Sequence, residues 1–74
     1  MQHHRISRDP SILKGKPCIR GTRISVEVVM RRLAAGRTAD EIAADYPELT
    51  RDDVLAAAAY AAELLRHDGL LAAK

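Results

Sequence analysis

The chain has 74 residues and a formal net charge of +2; 47% of the residues are hydrophobic, and neither Phe nor Trp occurs. A chain of this length forms one domain, which we take as residues 1–74, and buries only about 60% of the surface that its unfolded form exposes. Its own core leaves a thin stability margin, so pairing with a second copy would help. No apolar run approaches the roughly 18 residues of a membrane span, which argues against a membrane protein.

The charge is divided unevenly between the two halves of the chain. Residues 1–37 carry nine Lys and Arg against two acids, a net charge of +7, whereas residues 38–74 carry three against eight, a net charge of −5. A basic half of this strength predicts a polyanionic partner such as nucleic acid. The alternative is that the two halves neutralise each other within one fold or across a dimer.

Few residues have catalytic potential. Cys18 is the single cysteine, so no disulfide forms within the chain and a reducing, cytoplasmic location is expected. The polar start of the chain does not resemble a signal peptide. The histidines, His3, His4 and His67, match none of the spacings of metal or nucleophilic sites. We therefore expect no enzyme activity, no catalytic residue, no metal or other cofactor and no small-molecule substrate.

A tight β-hairpin is predicted in the segment GKPCIRGTRIS, which starts at Gly15. Two β-prone pieces, residues 18–19 and 22–24, flank an Arg-Gly pair, and Gly21 supplies the positive φ that such a turn needs. Gly15 marks another turn, and a stretch around Ile6 is a candidate edge strand. Two strands alone are marginally stable, so we expect the isoleucines of the hairpin to face the helices.

Three helices are predicted after the hairpin, and each has a cap in the sequence. The first follows Ser25, a natural N-cap, and ends at Gly36. The second starts with a T-x-x-E capping box at Thr38 and stops before Pro47, which cannot continue a helix. The third follows Thr50, with an acid three residues after the cap. These signals define short helices joined by short turns.

The third predicted helix is rich in alanine and ends near Gly69. Its alanines would let a partner helix approach closely, although helix propensity explains them equally well. The apolar positions at helical spacing are Val54, Leu55, Ala58, Ala61, Ala62 and Leu65. The predicted partner interface consists of Ala58, Ala62, Leu65, Leu70 and Leu71.

The predicted fold class is mainly α: a small three-helix, helix-turn-helix domain with a short N-terminal β-hairpin. In such motifs the start of the second motif helix meets base edges, but here it carries Asp52 and Asp53, which a polyanion repels. The DNA-binding surface is therefore expected on the hairpin and first helix, with Arg20 and Arg23 as a two-pronged cation. The predicted DNA-binding residues are Lys14, Lys16, Arg20, Thr22, Arg23, Arg31, Arg32 and Arg37.

Over about residues 6–62 the sequence resembles a widespread bacterial and archaeal family. The motifs that carry the resemblance are G-K-P-x-I-R-G-T-R-I from Gly15, D-P-x-I from Asp9, Y-P-x-L-T from Tyr46 and D-V at Asp53. The family has long been catalogued as a domain of unknown function (DUF433-type). It is regarded as antitoxin-like, similar to VapB antitoxins, with a helix-turn-helix.

The resemblance implies an antitoxin of a type II toxin–antitoxin system. Such a protein would bind its operator DNA as a homodimer, repress its own transcription and neutralise a PIN-like ribonuclease toxin. The resemblance also implies a functional patch at the matching positions Arg20, Gly21, Thr22 and Arg23. Antitoxins usually have a long disordered C-terminal tail, whereas few residues follow the third helix here, so a toxin would contact the alanine face or the apolar chain end. The alternative is a protein-interaction module that masks a partner enzyme without binding DNA.

Overall fold

The computed structural model describes residues 3–67 of the chain, with side chains as far as residue 66. It confirms a small, mainly helical fold with two short antiparallel strands before the helices. The elements in chain order are β1 (Ile6–Ser7), a 3-10 turn (Leu13–Gly15), β2 (Cys18–Ile19), α1 (Val26–Ala34), α2 (Ala39–Asp45) and α3 (Arg51–His67). Within residues 3–67, none of these helices combines the length and the apolar character that crossing a membrane requires.

The strand pair differs from the predicted hairpin in one of its two strands. β1, the candidate edge strand, pairs antiparallel with β2, so that Ile6 lies opposite Ile19. The chain after the Gly21 turn does return along β2: the Ile19 N–H donates to the Ile24 carbonyl at 2.9 Å, and Cys18 forms an isolated antiparallel bridge with Ser25. Residues 22–24 themselves form no strand, because Thr22 holds them in a turn. Its hydroxyl donates to the Ile19 carbonyl at 2.8 Å and accepts from the Ile24 N–H at 3.0 Å. A threonine hydroxyl can stabilise a turn in this way in place of a strand ladder.

Two turns in the N-terminal part use left-handed backbone. Gly21 has a φ of +82°, as the predicted tight turn needs, and Gly15 has a φ of +84°. The two residues before Gly15 also have positive φ, Leu13 at +50° and Lys14 at +57°. This region is free of strain only for glycine, so the 3-10 turn stores some conformational energy.

The helices begin where the sequence places their caps. At the start of α1, the Ser25 hydroxyl accepts from the Val28 N–H at 3.0 Å. The capping box of α2 is complete: the Thr38 N–H donates to the Glu41 carboxylate at 2.8 Å, and the Glu41 N–H donates to the Thr38 hydroxyl at 3.1 Å. Gly36, with a φ of +94°, follows α1 as predicted.

The cap of α3 repeats this reciprocal arrangement. The Thr50 N–H donates to the Asp53 carboxylate at 2.9 Å, and the Asp53 N–H donates to the Thr50 hydroxyl at 3.1 Å. Two N–H groups that a helix start leaves unpaired are thereby satisfied. The predicted end of this helix near Gly69 lies outside the described residues.

The core lies where the three helices meet the strand pair. Its buried members are Ile6, Ile19, Val26, Val29, Ile42, Leu49, Val54 and Ala57. Ile24 packs against this cluster, so both isoleucines of the predicted hairpin face the helices. Cys18 is 1% exposed and its thiol donates to the Lys16 carbonyl at 3.3 Å. It is a buried strand residue rather than an accessible thiol.

The buried face of α3 is rotated relative to the predicted apolar stripe. The structure buries Val54 and Ala57 and half-buries Ala61, whereas Leu55 and Leu65 remain 45% and 41% exposed. Helical spacing identifies apolar positions that share a face, but α3 has two adjacent apolar faces, and periodicity does not say which one packs inward. The second face is left at the surface.

Candidate nucleic-acid interface

Two of the predicted DNA-binding cations have free side chains. Lys14 and Arg23 are exposed and make no side-chain hydrogen bond or ion pair within residues 3–67. Lys14 belongs to the left-handed 3-10 turn, and Arg23 follows the Gly21 turn. Arg8, which the sequence did not single out, is likewise exposed and without such a partner in the described chain. These three groups carry positive charge that no carboxylate contacts.

Arg20 and Thr22 have structural contacts. The Arg20 Nε donates to the His4 carbonyl at 2.6 Å and its Nη2 donates to the Ile6 carbonyl at 3.1 Å, which ties the end of β2 to β1. Arg20 is therefore a clamp and does not form the free two-pronged cation with Arg23 that the sequence predicts. Carbonyl oxygens carry no net charge, so the guanidinium still contributes its positive charge to the surface.

Glu27 partly neutralises two further predicted cations. The Arg31 Nη2 lies 2.8 Å from the Glu27 carboxylate, one helical turn away, and the Lys16 Nζ lies 3.5 Å from it. Hydrogen bonding from Arg31 and the charge of Lys16 lower the pKa of Glu27. Exposed pairs of this kind are weak, and one carboxylate balances only one of the two cations.

Arg37 is the most fully neutralised of the predicted cations. Its guanidinium binds the Asp45 carboxylate through two N–H groups and lies 3.6 Å from the Glu41 carboxylate. Hydrogen bonding to Asp45 raises the pKa of Arg37. Two acids of the same helix thus hold Arg37, which leaves it little attraction for an external anion.

Arg32 is held by an aromatic ring instead of an acid. Its Nε donates to the Tyr46 hydroxyl at 3.3 Å, and its guanidinium carbon lies 5.8 Å from the centre of the same ring. The contact joins α1 to the residue that ends α2 and is a cation–π arrangement. Arg32 is exposed, so its charge remains available to a partner.

The start of α3 is negatively charged in the structure as in the sequence. Asp53 accepts from the Arg5 Nη1 at 2.9 Å. Burial raises the pKa of Asp53, but hydrogen bonds from Thr50 and Arg5 outweigh burial, so the net shift is downward. Asp52 is exposed and has no side-chain partner within the described residues. Arg51, the first residue of α3, pairs with an α2 carboxylate at 3.4 Å.

Three arginines thus surround the Gly21 turn, and we call Arg8, Arg20 and Arg23 the arginine cluster. Arg8 and Arg20 line one polar cleft of about 440 Å³ together with Gly21. Asp9 is the one acid in that lining, and hydrogen bonds from the Ser11 N–H and hydroxyl lower its pKa. The cluster keeps a net positive charge, because the cleft lining has one carboxylate and two guanidinium groups, and Arg23 makes no ion pair within residues 3–67.

An apolar cleft that the sequence did not predict lies between α1 and the last turns of α3. Its volume is about 420 Å³, with Lys16 and Glu27 at its rim. The side chains that line it are mainly Val26, Met30, Tyr60, Ala61, Leu64 and Leu65. The spacing of Leu64 from Tyr60 was visible in the sequence, but the approach of α1 depends on tertiary packing.

His3 joins the N-terminal segment to α3. Its Nε2 lies 2.6 Å from the Glu63 carboxylate, and its ring meets the edge of the Tyr60 ring at 5.2 Å between centroids. Among the residues that the structure describes, no group of three or more His, Cys, Asp or Glu side chains is arranged to hold a metal ion.

Three of the five predicted partner-interface residues lie within the described chain. Ala58 is half-buried, and Ala62 and Leu65 are exposed, all on α3. The other two, Leu70 and Leu71, lie outside the described residues. The part of the interface that is described is therefore at the surface.

Comparison with known proteins gives a family. The family model "Protein of unknown function (DUF433)" matches residues 6–61. The crystal structure of a DUF433 member protein from Anabaena variabilis superposes with a TM-score of 0.76 at 30% sequence identity, covering 95% of this chain and 69% of that one. No curated protein matches the sequence. Because the family model spans most of the chain and a solved member shares its fold, the chain belongs to the DUF433 family.

Proposed function

We propose that the protein is a DNA-binding regulator of the antitoxin type, which acts in the cytoplasm as a homodimer and neutralises a PIN-like ribonuclease toxin. The arginine cluster is the observation that carries the DNA-binding part. Arg8 and Arg20 line a cleft beside the exposed Gly21 turn, in which Asp9 is the one acid, and Arg23 is exposed two residues after Gly21. Arginine donors on a protruding turn suit phosphate oxygens, to which they can bind in pairs.

The charges elsewhere on the molecule support this choice of surface. A conventional helix-turn-helix would insert the start of α3 into the major groove. There Asp52 is exposed and unpaired within the described residues, and Asp53 is already paired with Arg5, so that approach brings the Asp52 carboxylate towards phosphates. The arginine cluster, with Lys14 on the neighbouring turn, offers charge of the right sign. We therefore assign phosphate contact to the N-terminal turns.

Fluorescence anisotropy with the DNA upstream of the protein's own gene tests the assignment. Arg23→Ala should weaken binding and make the slope of log affinity against log salt shallower by about 1, because each phosphate contact releases about one counterion. Arg37→Ala is the matched control: it removes the same charge, but from a guanidinium that two acids already hold. It should leave the slope unchanged. Equal effects of both variants, or binding that is insensitive to salt, would refute the proposed surface.

The apolar cleft favours a second function, the masking of a partner enzyme without DNA binding. A cleft of about 420 Å³ with apolar walls suits an apolar side chain or helix of another protein. Co-purification with the product of the neighbouring gene tests this function. Met30→Glu should abolish the complex, whereas Ala44→Glu, on the exposed side of α2, should not. A complex that forms while no operator DNA is bound would favour masking over transcriptional regulation.

A further inference from the structure

The outer face of α3 carries an apolar stripe without a partner in the described chain. We call Leu55, Ala58, Ala62 and Leu65 the α3 stripe. Their spacing of three, four and three residues keeps them on one side of the helix, as in the contact seam of paired helices. Leu55, Ala62 and Leu65 are exposed and Ala58 is half-buried. The core of the molecule uses a neighbouring face of α3, and Leu65 at one end of the stripe also lines the apolar cleft. The exposed side chains of the stripe can contact another helix.

The order of residues in the α3 stripe is the same from either end. Large leucines stand at its two ends and alanines in its middle. If a second copy of α3 lies antiparallel across a two-fold axis midway between Ala58 and Ala62, each leucine meets the leucine at the other end of the partner. Each alanine meets an alanine, which lets the two backbones approach closely at the axis.

The charges beside the α3 stripe match the same arrangement. Asp52 and Arg66 flank the stripe on the same side, one near each end of the helix. Both are exposed, and neither makes a side-chain hydrogen bond or ion pair within residues 3–67. An antiparallel two-fold brings each of them beside its opposite charge on the other copy. In a parallel pair they would lie about 21 Å apart along the helix axis, so the match would be lost.

We propose that two copies of the protein pair through α3 in this antiparallel register. Leu55 packs against the partner's Leu65, Ala58 packs against the partner's Ala62, and Asp52 pairs with Arg66 of the partner subunit. The surface is self-complementary in both shape and charge, which makes a second copy a better occupant than an unrelated helix. The pairing places an arginine cluster on each side of one axis, but it does not depend on DNA binding.

Analytical ultracentrifugation over a range of protein concentrations measures the pairing directly. Leu55→Glu should raise the dimer dissociation constant by about tenfold or more, because it places a charge in the apolar seam of both copies. Leu64→Glu is the matched control: Leu64 is a leucine of the same helix, 44% exposed, that does not belong to the α3 stripe. It should leave the dissociation constant unchanged. A monomer at all concentrations, which would mean that other residues such as 68–74 cover the stripe, or a dimer insensitive to Leu55→Glu, would overturn the proposal.

Charge reversal tests the register. Asp52→Arg and Arg66→Asp should each raise the dissociation constant by about two- to fivefold at low salt, since exposed ion pairs contribute little. The double variant should restore it, because the opposite charges then meet again. Failure of the double variant to recover would overturn the antiparallel register.

Cysteine cross-linking tests the same register with conservative changes. A mixture of Ala58→Cys and Ala62→Cys proteins should form the mixed disulfide dimer at least tenfold faster than either protein forms its own. In the proposed pair, residues 58 and 62 face each other, whereas like positions are about 6 Å apart along the axis. Cys18 is buried and does not compete. Faster cross-linking between like positions would show a parallel pair and overturn the proposal. None of these measurements requires DNA, so they can fail or succeed independently of the proposed function.

Discussion

The residues before α1 and the helices after it are held together by different interactions. The N-terminal part consists of two-residue strands and turns, and the Arg20 and Thr22 side chains join its segments by hydrogen bonds to the backbone. The helices are held by caps at their starts and by apolar side chains between them. The comparison shows that a polar motif in so small a domain can stabilise the fold and also contribute charge to the surface. Mutations that remove one kind of interaction should separate the two regions.

The largest effect should come from the helical core. Ile42 is fully buried between the helices, so Ile42→Ala leaves a cavity and should lower the free energy of unfolding by about 2–5 kcal/mol. Urea denaturation followed by circular dichroism measures the loss. Ala43→Gly on the same helix is a control for helix propensity, with an expected loss of about 1 kcal/mol. Similar losses for both variants would mean that packing around Ile42 is not what holds the helices together.

A smaller effect should follow from breaking the clamp of the N-terminal part. Arg20→Ala removes the hydrogen bonds to the His4 and Ile6 carbonyls and should lower the free energy of unfolding by about 1–3 kcal/mol. Arg20→Lys should not rescue the loss, because a lysine ammonium lacks the planar fork that reaches two carbonyls. Hydrogen exchange should show faster opening of β1 in both variants, with α3 protected nearly as in the parent protein. Full stability of Arg20→Lys would show that charge alone matters at this position.

The acidic cap of α3 should make stability depend on pH. The folded pKa of Asp53 lies below its ordinary value of 3.8, so its contribution is complete above about pH 5 and is lost progressively as pH falls through the ordinary value to the folded pKa. Asp53→Asn should lower the free energy of unfolding by about 1 kcal/mol at neutral pH. It should also make the loss of stability at acid pH less steep. Thermal unfolding between pH 2 and 7 measures both. Asp52 lies one residue away and has no side-chain partner within residues 3–67, so Asp52→Asn should leave the acid-pH dependence of stability unchanged.

The smallest effect, and one of opposite sign, should come from the left-handed turn. Lys14 has a φ of +57°, so Lys14→Gly relieves strain and should raise the free energy of unfolding by about 0.5–1 kcal/mol. Lys16 has a φ of −62°, so Lys16→Gly should instead lower it slightly. The same denaturation measurement compares the two variants. Stabilisation by both would mean that backbone strain is not the cause.

The sequence predicted the helices better than the N-terminal part because the two partners of a helix cap lie close together in the sequence. Ser25 and Thr38 each find their partner three residues ahead, within the reach of a local pattern. Arg20 finds its acceptors 14 and 16 residues earlier, and Arg5 meets Asp53 across 48 residues. No local pattern contains such pairings. The chain after Gly21 pairs with β2 only at Ile24 and Ser25, because the Thr22 hydroxyl bonds hold residues 22–24 in a turn instead of a strand.

The candidate site, too, could be predicted from the sequence only in part. The concentration of positive charge in the first half was visible in the composition, but the distribution of that charge among free and paired groups depends on contacts. Arg37 was predicted to contact DNA, but Asp45 and Glu41 hold its guanidinium. Arg8 was not predicted to contact DNA, but its side chain has no partner within residues 3–67. Side chains of this length reach several alternative partners, so their pairing follows from the fold and not from their order.

The Arg20 clamp affects whether further strands can pair with the free edge of β1. The Arg20 N–H donates to the Arg5 carbonyl within the ladder, so the next carbonyl along β1, that of Ile6, points away from β2. The Arg20 guanidinium caps that outward oxygen. An uncapped edge of this kind recruits strands from neighbouring molecules and seeds aggregation. The clamp thereby hinders strand addition at the β1 edge of this two-stranded sheet. Self-association through β1 is disfavoured as a result.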